Sequence, residues 1–461
     1  MSVEEHPDGF IGEFKDIILQ RINTVPRWAE AVSTGILSTA VGPSKMTYTR
    51  VGPLHLNLFH LIVGASGIAH KTTPLKYHAI PMLEEFQYLL NDGDDNPKTA
   101  KDLFLPSRFS IEGMISYFSG NKHQAAQDEG VIIRDEFTSA IKDMNKDYLS
   151  DFIEFVSECY DGSAQKRYTR GTQLEKTKKV YVNLLAATTP FLYSVMTYSL
   201  FLQGFVNRIL FILDSPHDTV EQENPDRYFA NAREDQREIE EQREVFARNL
   251  LTLRRSAARI VQPDDSDGLK LVKFKYRMET ELNNRYKKDN LDIYCSYLAR
   301  MPEMAFKLTA LHALSRWYTR LGNWTLDTIT TRDDADWAIA KVEYHYDAFK
   351  KMLEAWRARP EVFIPKTMDA QMSQVLDFLR SREKGASWSE IRGSIRWDNT
   401  VWNRVLNILV DTKQVFMIVR KQIGPGRPTC LLSVLENKDK AVALGDTTVD
   451  NWETVKANLH L

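Results

Sequence analysis

The sequence predicts an α/β fold with a parallel sheet, and three features of the chain support that prediction. An apolar run at Leu58–Val63 leads into a glycine-bearing segment that ends in a lysine and two threonines. A second apolar run, Val131–Ile133, leads into two acids, and a third lies at Val180–Thr189. Apolar runs of this length are typical of strands that are buried on both faces of a parallel sheet. Helical spacing before and between these runs predicts helices that pack on the sheet.

Length and composition are those of a globular protein with several domains. The chain has 461 residues, of which 43% are hydrophobic and 26% charged, and at ~150 residues per domain this suggests roughly three domains. The balance of 60 basic against 62 acidic residues excludes a uniformly basic surface, so any DNA contact must be a local patch. The three cysteines form neither a metal-binding nor a disulfide pattern, and no signal peptide or run of ~18 apolar residues is present. These features predict a cytoplasmic protein.

The predicted organisation divides the chain into five segments. The middle of the chain is charge-dense and then all-helical, which predicts a bridge or lid, and a new unit begins after Pro360 and Pro365. In the helical part, Arg300 and Lys307 either reach the nucleotide from the lid side or remain solvated on the helix surface. The segments are N-terminal helices at 1–42, an α/β core at 43–218, a helical lid at 219–360, a C-terminal unit at 366–435 and a tail at 436–461.

The segment after the first apolar run has the components of a phosphate-binding loop. Such a loop needs glycines that admit an anion to backbone N–H groups, a lysine for the outer phosphates and a hydroxyl for magnesium. The spacing departs from the usual G-x-x-x-x-G-K-[ST], because the first glycine comes one residue early and a histidine replaces the second. A strand-to-helix turn of another α/β protein is the alternative. The predicted nucleotide-binding residues are Gly64, Ser66, Gly67, His70, Lys71, Thr72 and Thr73.

Two acids follow the second apolar run. Asp135, at the carboxyl end of a parallel strand, can hold magnesium through water, and Glu136 can polarise the attacking water of a nucleotide hydrolase. Taken alone, the pair is equally typical of an ordinary strand end capped by acids. The order of apolar strand, phosphate loop, helix, apolar strand and acid pair is the one that a P-loop fold requires. The two motifs together therefore predict a P-loop NTPase core. The helix after the loop is expected to carry Leu75 and Tyr77 among its apolar residues and to kink at Pro81.

Polar residues beside the third and fourth apolar runs complete the predicted catalytic set. Thr188 and Thr189 end the third run, and either they contact the γ-phosphate and its attacking water or they merely complete a strand. Arg208 directly precedes the fourth run, Ile209–Leu213. An arginine there, on the edge of a ring subunit, can reach the nucleotide of a neighbour; the alternative is a surface arginine that bonds a helix end.

Two regions have the composition of nucleic-acid contacts. Residues 159–179 combine basic side chains with Tyr160 and Tyr168, as in loops that track a backbone and stack on bases, although a solvated hairpin has the same composition. The C-terminal unit predicts three helices and a hairpin with a basic glycine-proline tip, the layout of a winged helix, which binds DNA or docks proteins. The predicted nucleic-acid-binding residues are Lys166, Arg167 and Arg170 in the first region, and Asn403, Arg404, Arg420 and Arg427 in the second.

The order of these motifs resembles that of a family of P-loop ATPases. The segments SIEGMISYF, VIIRDEF, ECYDG, NLLAATTP and GFVNRILF, together with the HKTT loop, are similar to an uncharacterised-domain family of plasmids, proviruses and phages that is primase-associated and replicative-helicase-like. The resemblance covers roughly residues 10–347. It implies a RecA- or AAA+-like core, in which Lys71 and Thr72 bind phosphate and magnesium, Asp135 and Glu136 serve magnesium and water, and Arg208 acts in trans.

The resemblance implies an ATP-dependent DNA helicase or translocase, or a replication initiator, of a mobile genetic element. ATP and Mg²⁺ are the implied cofactors. The implied partners are single-stranded or forked DNA, a primase or polymerase, and further copies of the chain in a hexameric ring, with no membrane partner. The chain departs from the family in its phosphate loop and in having no primase domain before the core, which leaves priming to another protein. The alternatives are an ATP-switched scaffold that recruits partners through the winged helix without unwinding, and a transcriptional regulator with a degenerate P-loop.

Overall fold

The chain forms two compact units, Met1–Ala358 and Arg359–Leu461, in the computed structural model. The first unit contains the predicted N-terminal helices, the α/β core and most of the helical lid. The residues that the structure describes are 9–22, 24–49, 52–65, 71–92, 100–106, 111–120, 126–144, 150–162, 164–168, 174–196, 200–201, 204–213, 236–256, 260–263, 265–286, 293–318, 328–357, 368–394, 399–420, 429–438, 442, 446–450 and 454–455.

Helices of the first unit surround a central sheet. Nearly every residue of the second helix is buried, and that helix begins at a proline, whose fixed φ suits a first turn. Short 3₁₀ turns cover Gly42–Ser44, Pro190–Ser194 and Val206–Arg208. The helices are α1 (Phe10–Arg21), α2 (Pro26–Val41), α3 (Ile80–Asn91), α4 (Ile111–Ser119), α5 (Phe137–Met144), α6 (Ser150–Tyr160), α7 (Gln236–Arg255), α8 (Asp265–Tyr286), α9 (Ile293–Tyr318) and α10 (Arg332–Arg357).

Strands of the first unit form two four-stranded sheets and one hairpin. The smaller sheet has the order β10-β9-β1-β2, and the hairpin pairs β5 with β6. The strands are β1 (Met46–Thr49), β2 (Gly52–His55), β3 (Phe59–Val63), β4 (Glu129–Arg134), β5 (Ala164–Tyr168), β6 (Leu174–Lys179), β7 (Tyr181–Thr188), β8 (Ile209–Leu213), β9 (Ile260–Pro263) and β10 (Thr328–Thr330).

The central sheet is parallel and has the order β4-β7-β3-β8. Each of the four apolar runs in the sequence forms one of its strands, and an isolated parallel bridge from Phe104 to Val131 lies beside β4. All residues of β3 and β7 are buried. A strand that is covered on both faces has no alternation of polar and apolar residues, which is why these segments are mostly apolar, with His60 and Asn183 as buried polar residues.

Helices cover both faces of the central sheet. On one face, His60 of β3 lies against α2 and α10, with its ring centre 6.5 Å from that of His345. On the other face, Phe59 meets the ring of Tyr160, at the end of α6, with ring centres 4.9 Å apart. The resulting three-layer core leaves only the two ends of the strands near the surface. Polar chemistry is therefore expected at the carboxyl and amino edges of the sheet.

The helix after the predicted phosphate loop begins with a π-helical turn, Leu75–Ala79, and continues as α3. Pro81 has no N–H to donate to the carbonyl four residues earlier, and a π turn is one way in which a helix accommodates that loss. The predicted kink thus takes the form of a widened turn. Leu75 is buried as an apolar residue should be, but Tyr77 is 68% exposed.

The charge-dense helix α7 packs on the core through its C-terminal half. Leu250 is buried there, whereas Val245, in the middle of the helix, is 56% exposed. Arg254 anchors this half: its Nη1 donates to Glu129 Oε2 at 3.0 Å and to the carbonyl oxygen of Ala40 at 3.1 Å. The ion pair ties the helix to the first residue of β4.

The described residues of the second unit form three helices and an antiparallel sheet of order β11-β13-β12-β14. Its core contains Trp402, Leu406 and Val415. Strand β14 comes from the C-terminal tail, which carries no strand signal in the sequence, and pairs with β12. The elements are α11 (Met368–Arg380), β11 (Ala386–Ser387), α12 (Trp388–Ser394), α13 (Asn399–Asp411), β12 (Val415–Arg420), β13 (Thr429–Val434), a 3₁₀ turn at Leu435–Asn437 and β14 (Thr447–Val449).

Candidate active site

The carboxyl ends of the central strands bring several predicted site residues together. Val63 is the last residue of β3 and pairs in register with Thr188 of β7 and Leu213 of β8. Arg134, the last residue of β4, pairs with Ala186, so the acids that follow it emerge at the same edge. The carboxyl edge of an open α/β sheet is where ligands usually bind.

Lys71 points back to the end of β3. Its Nζ donates a hydrogen bond to the carbonyl oxygen of Gly64 at 3.2 Å, and the residue is only 6% exposed. Burial lowers the pKa of Lys71, while the negative charge of Glu136 acts in the opposite direction. A poorly hydrated ammonium beside a strand end interacts strongly with an anion that enters the site.

Glu136 is held by threonines of two elements. Thr188 Oγ1 donates to Glu136 Oε1 at 3.0 Å, and the Thr188 side chain is fully buried. Thr138, in the first turn of α5, donates its backbone N–H to Thr188 Oγ1 at 3.2 Å, and the two hydroxyls also share a hydrogen bond. Glu136 itself is exposed. The arrangement fixes the direction of a carboxylate that remains open to water or ligand.

Asp135 has a cationic partner that the sequence analysis did not identify. Lys76, in the π-helical turn, places its Nζ 2.6 Å from Asp135 Oδ2, and both side chains are about half exposed. The hydrogen bond from Lys76 holds the pKa of Asp135 below its ordinary value. Lys76 lies five residues after Lys71, on the helix that faces the acid-bearing strand. That position in the sequence could have identified it as a partner of Asp135.

Gly64 is required by packing as well as by the predicted loop. A Cβ at this position would lie 2.5 Å from one ring carbon of Trp28 and 2.6 Å from another, and the Trp28 ring is fully buried. The backbone N–H of Gly64 donates to the carbonyl oxygen of Thr188 at 3.1 Å. The sequence predicts that Gly64 lets the backbone come close to a phosphate. In the structure, the group that lies close to Gly64 is the indole ring of Trp28.

The remaining loop residues are described only in part. Thr72 and Thr73 are partly buried where the helix begins, and the carbonyl oxygen of Thr72 accepts from the backbone N–H of Lys76 at 3.0 Å. The predicted contributions of Ser66, Gly67 and His70 lie outside the described residues.

Arg208 lies at the opposite, amino edge of the sheet. It directly precedes β8, and its Nη2 donates to Asp161 Oδ2 at 2.6 Å, while its Nη1 donates to the carbonyl oxygen of Gly204 at 2.7 Å. Arg208 therefore does not reach the candidate site of its own chain, and its side chain is buried rather than on the surface.

Two further residues lie at the amino edge rather than beside a nucleotide. Lys307 is fully buried and donates to the carbonyl oxygen of Asn57 at 3.1 Å, so neither the lid-side role nor the solvated position applies to it. Asn183, within β7, accepts from the backbone N–H of Leu58 at 2.8 Å and from Ser38 Oγ at 2.6 Å. Both side chains hold the sheet and its neighbouring elements together.

The structure describes only some of the residues that the sequence predicts to contact nucleic acid. The basic segment forms the β5–β6 hairpin, but Tyr160 is buried beneath Lys307 and is not available to stack on a base. Arg420 is paired with Asp446, Nε to Oδ2 at 3.0 Å. The side chains of Lys166, Arg167, Asn403 and Arg404, and the whole of Arg170 and Arg427, lie outside the described residues.

Neither a protein-only metal site nor a membrane-spanning helix occurs in the described part of the chain. There, no group of three or more histidine, cysteine, aspartate or glutamate side chains is arranged to hold a metal ion. None of the helices described is both long and apolar enough to cross a membrane. No protein-family model matches the chain, and no curated protein matches it.

Proposed function

We propose that the chain hydrolyses ATP at the carboxyl edge of the central sheet and uses that hydrolysis to act on DNA. The activity is that of a helicase, a translocase or a replication initiator of a mobile genetic element. The observation that supports it most is the grouping of a buried lysine, Lys71, with a carboxylate, Glu136, whose direction is fixed by the Thr188 hydroxyl. A nucleotide hydrolase needs these three groups at the carboxyl ends of adjoining parallel strands.

The chain's own groups divide the work of hydrolysis. Lys71 neutralises negative charge on the outer phosphates, and its burial makes that interaction stronger than it would be in water. Glu136 accepts a proton from the attacking water or orients it, since its carboxylate is exposed on one side and held by Thr188 on the other. Positioning and charge stabilisation of this kind provide nearly all of the catalysis of phosphoryl transfer.

Thr72 and Asp135 are the residues that would hold Mg²⁺. Asp135 offers a half-exposed carboxylate at the end of the strand, and its ion pair with the Lys76 ammonium, at 2.6 Å, would open when it holds a cation. Bound magnesium supplies charge neutralisation between the outer phosphates of the nucleotide. An aspartate carboxyl group is already ionised at neutral pH, and the hydrogen bond from Lys76 lowers the pKa of Asp135 further.

Assembly into a ring gives Arg208 a role that it does not have within one chain. The residue lies at the amino edge, far along the strands from Lys71 and Glu136 of the same chain, so it acts on a nucleotide only across a subunit boundary. Its guanidinium is planar and permanently charged, which suits a γ-phosphate. DNA is then contacted by the basic β5–β6 hairpin and by the second unit, as their composition suggests.

A second candidate function is an ATP-switched scaffold that recruits DNA or protein through its C-terminal unit without unwinding. One observation favours it. Arg208 is bound to Asp161 of its own chain, so a single subunit does not present a free arginine to a neighbour. A strand-displacement assay on forked DNA separates the two candidates, since the scaffold binds ATP and oligomerises but never displaces a strand.

ATP hydrolysis with and without single-stranded DNA tests the proposal. The Lys71→Ala variant is expected to lose at least about a hundredfold in kcat/KM, because the other lysine described at this edge, Lys76, is paired with Asp135. Lys273→Ala removes an exposed lysine of α8 and is the matched control, expected to behave as wild type. Full activity in the Lys71→Ala variant would refute the assignment.

A further inference from the structure

A charged cluster lies at the amino edge of the central sheet, opposite the candidate active site. Asp161 is at its centre: Oδ2 accepts from Arg208 Nη2 at 2.6 Å, and Oδ1 accepts from Arg300 Nη1 at 3.3 Å. The Arg208 side chain is 9% exposed, whereas those of Asp161 and Arg300 are 35% and 32% exposed. Asp161 thus bridges two guanidinium groups that come from different elements, and Arg300 is also paired with Glu303, Nη1 to Oε2 at 2.8 Å.

The floor of the cluster is tied to the sheet. Lys307 Nζ lies 3.5 Å from the centre of the Tyr160 ring and donates to the carbonyl oxygen of Asn57. Asn57 Nδ2 in turn donates to the carbonyl oxygens of Tyr160 and Val182, each at 3.0 Å. Because each of these buried bonds is costly to leave unmade, the floor resists movement. Asp161 and Arg300 are the partly exposed members of the cluster, so they can shift at less cost than the buried floor.

Asp161 is also the root of the basic hairpin. Asp161 and Gly162 lie between α6 and β5, and Gly162 has a φ of 69° that favours glycine. A Cβ on Gly162 would lie 2.4 Å from the ring of Tyr181, so the turn is closely packed against the first residue of β7. A force on the hairpin is therefore transmitted to Asp161 through two residues of backbone.

The C-terminal end of the hairpin continues into the strand that leads to the candidate active site. Strand β6 ends at Lys179, and after one residue the chain continues as β7. At its far end β7 carries Thr188, the residue that holds Glu136. The N-terminal end of the hairpin thus lies beside Arg208, and its C-terminal end continues into β7, whose Thr188 orients the predicted catalytic carboxylate.

We propose that Asp161 is a positioning residue that couples the hairpin to Arg208. With no nucleic acid bound, Asp161 holds Arg208 against its own chain. When the hairpin binds the phosphate backbone of a single strand, its root shifts, Asp161 releases Arg208, and the guanidinium becomes available to the nucleotide of a neighbouring subunit. The inference rests on the proposed function. It states that Asp161 is the residue that makes ATP hydrolysis depend on DNA.

The Asp161→Asn variant tests the coupling through the ratio of ATP hydrolysis rates with and without single-stranded DNA. Wild type is expected to be stimulated at least about fivefold, and the variant to hydrolyse ATP without DNA at close to the stimulated rate, so that its ratio approaches one. Asp161→Glu keeps the charge and should restore the wild-type ratio. Asp347→Asn, which removes an exposed ion pair with Lys350, is the control. A wild-type ratio in Asp161→Asn overturns the inference.

Hydrogen exchange gives a readout that does not require hydrolysis. Single-stranded DNA is expected to raise amide exchange in residues 204–213 of wild type, because Arg208 loses its partner. In Asp161→Asn those amides should exchange faster from the start and not respond to DNA. If the chain hydrolyses no ATP but shows this exchange pattern, the proposed function is refuted and the coupling is not. Exchange in wild type that is the same with and without DNA overturns the coupling even if the chain is an ATPase.

Discussion

Replacement of Gly64 by alanine tests what this glycine does. The added methyl group would lie 2.5 Å and 2.6 Å from two ring carbons of Trp28, which is about 1 Å closer than the optimal separation of carbon atoms. Trp28 is fully buried, so the ring has no solvent to move into. Overpacking of a well-filled core costs about 1–3 kcal/mol, and we expect Gly64→Ala to lower the free energy of unfolding by that amount.

A double-mutant cycle separates packing from nucleotide binding. Trp28→Phe makes room beside Gly64, so the cost of Gly64→Ala in the Trp28→Phe background should fall by about 1 kcal/mol or more. Urea denaturation of the four proteins without nucleotide gives the coupling energy. If Gly64→Ala leaves the unfolding free energy unchanged, or costs the same in both backgrounds, the packing explanation is wrong and Gly64 serves the phosphate alone.

Three further predictions concern the Thr188 hydroxyl, the buried Lys307 and the buried His60. Thr188→Val removes the hydroxyl that orients Glu136 and should lower kcat about tenfold to a hundredfold with little change in the KM for ATP; a change in KM alone would contradict this role. Lys307→Met leaves the carbonyl oxygen and Oδ1 of Asn57 without their buried donor, while Glu303 keeps its pair with Arg300, and should lower the unfolding free energy by about 1–3 kcal/mol. Denaturation curves equal to those of wild type would count against these buried bonds. Burial lowers the pKa of His60 from 6.5 to about 3, so as the pH falls below 6.5 only the unfolded chain binds a proton at this residue. The free energy of unfolding should therefore fall by about 1.4 kcal/mol per pH unit because of His60. In urea titrations between pH 6.5 and 4.5, His60→Asn should remove this part of the pH dependence. An unchanged slope would show that His60 is not protonated on unfolding.

The strands and their shared edge could be predicted because burial on both faces leaves a direct trace in the sequence. Phe59–Val63 is apolar except for the buried His60, and Ile209–Leu213 is an uninterrupted apolar run; the structure makes each of them a strand of the parallel sheet. Since parallel strands end together, the same reasoning placed Glu136 and Thr188 near each other, and a hydrogen bond of 3.0 Å joins them.

Partners that lie far apart in the chain left no such trace. The contact of Gly64 with Trp28 and the ion pair of Arg208 with Asp161 depend on how the helices pack, and no local pattern encodes that packing. Tyr77 is exposed because the π-helical turn before Pro81 changes which side chains face the core, and an ideal helical period does not anticipate that change.

The amino edge of the sheet is where composition misled most. Tyr160 looked like a base-stacking residue because it lies next to a basic segment, yet its ring is buried and carries Lys307 on its face. Basic residues beside aromatic ones describe a nucleic-acid surface and a buried cation–π contact equally well. Only the tertiary structure distinguishes the two, because it decides which of those residues meets water.

ATP turnover by the Glu136→Gln variant tests the central claim most directly. Glutamine preserves the shape of the side chain and can still accept the hydrogen bond from Thr188, but it cannot take a proton from water. At saturating ATP, we expect turnover at least about a hundredfold below wild type. Turnover equal to that of wild type would contradict the assignment of the candidate site as an ATP-hydrolysing centre.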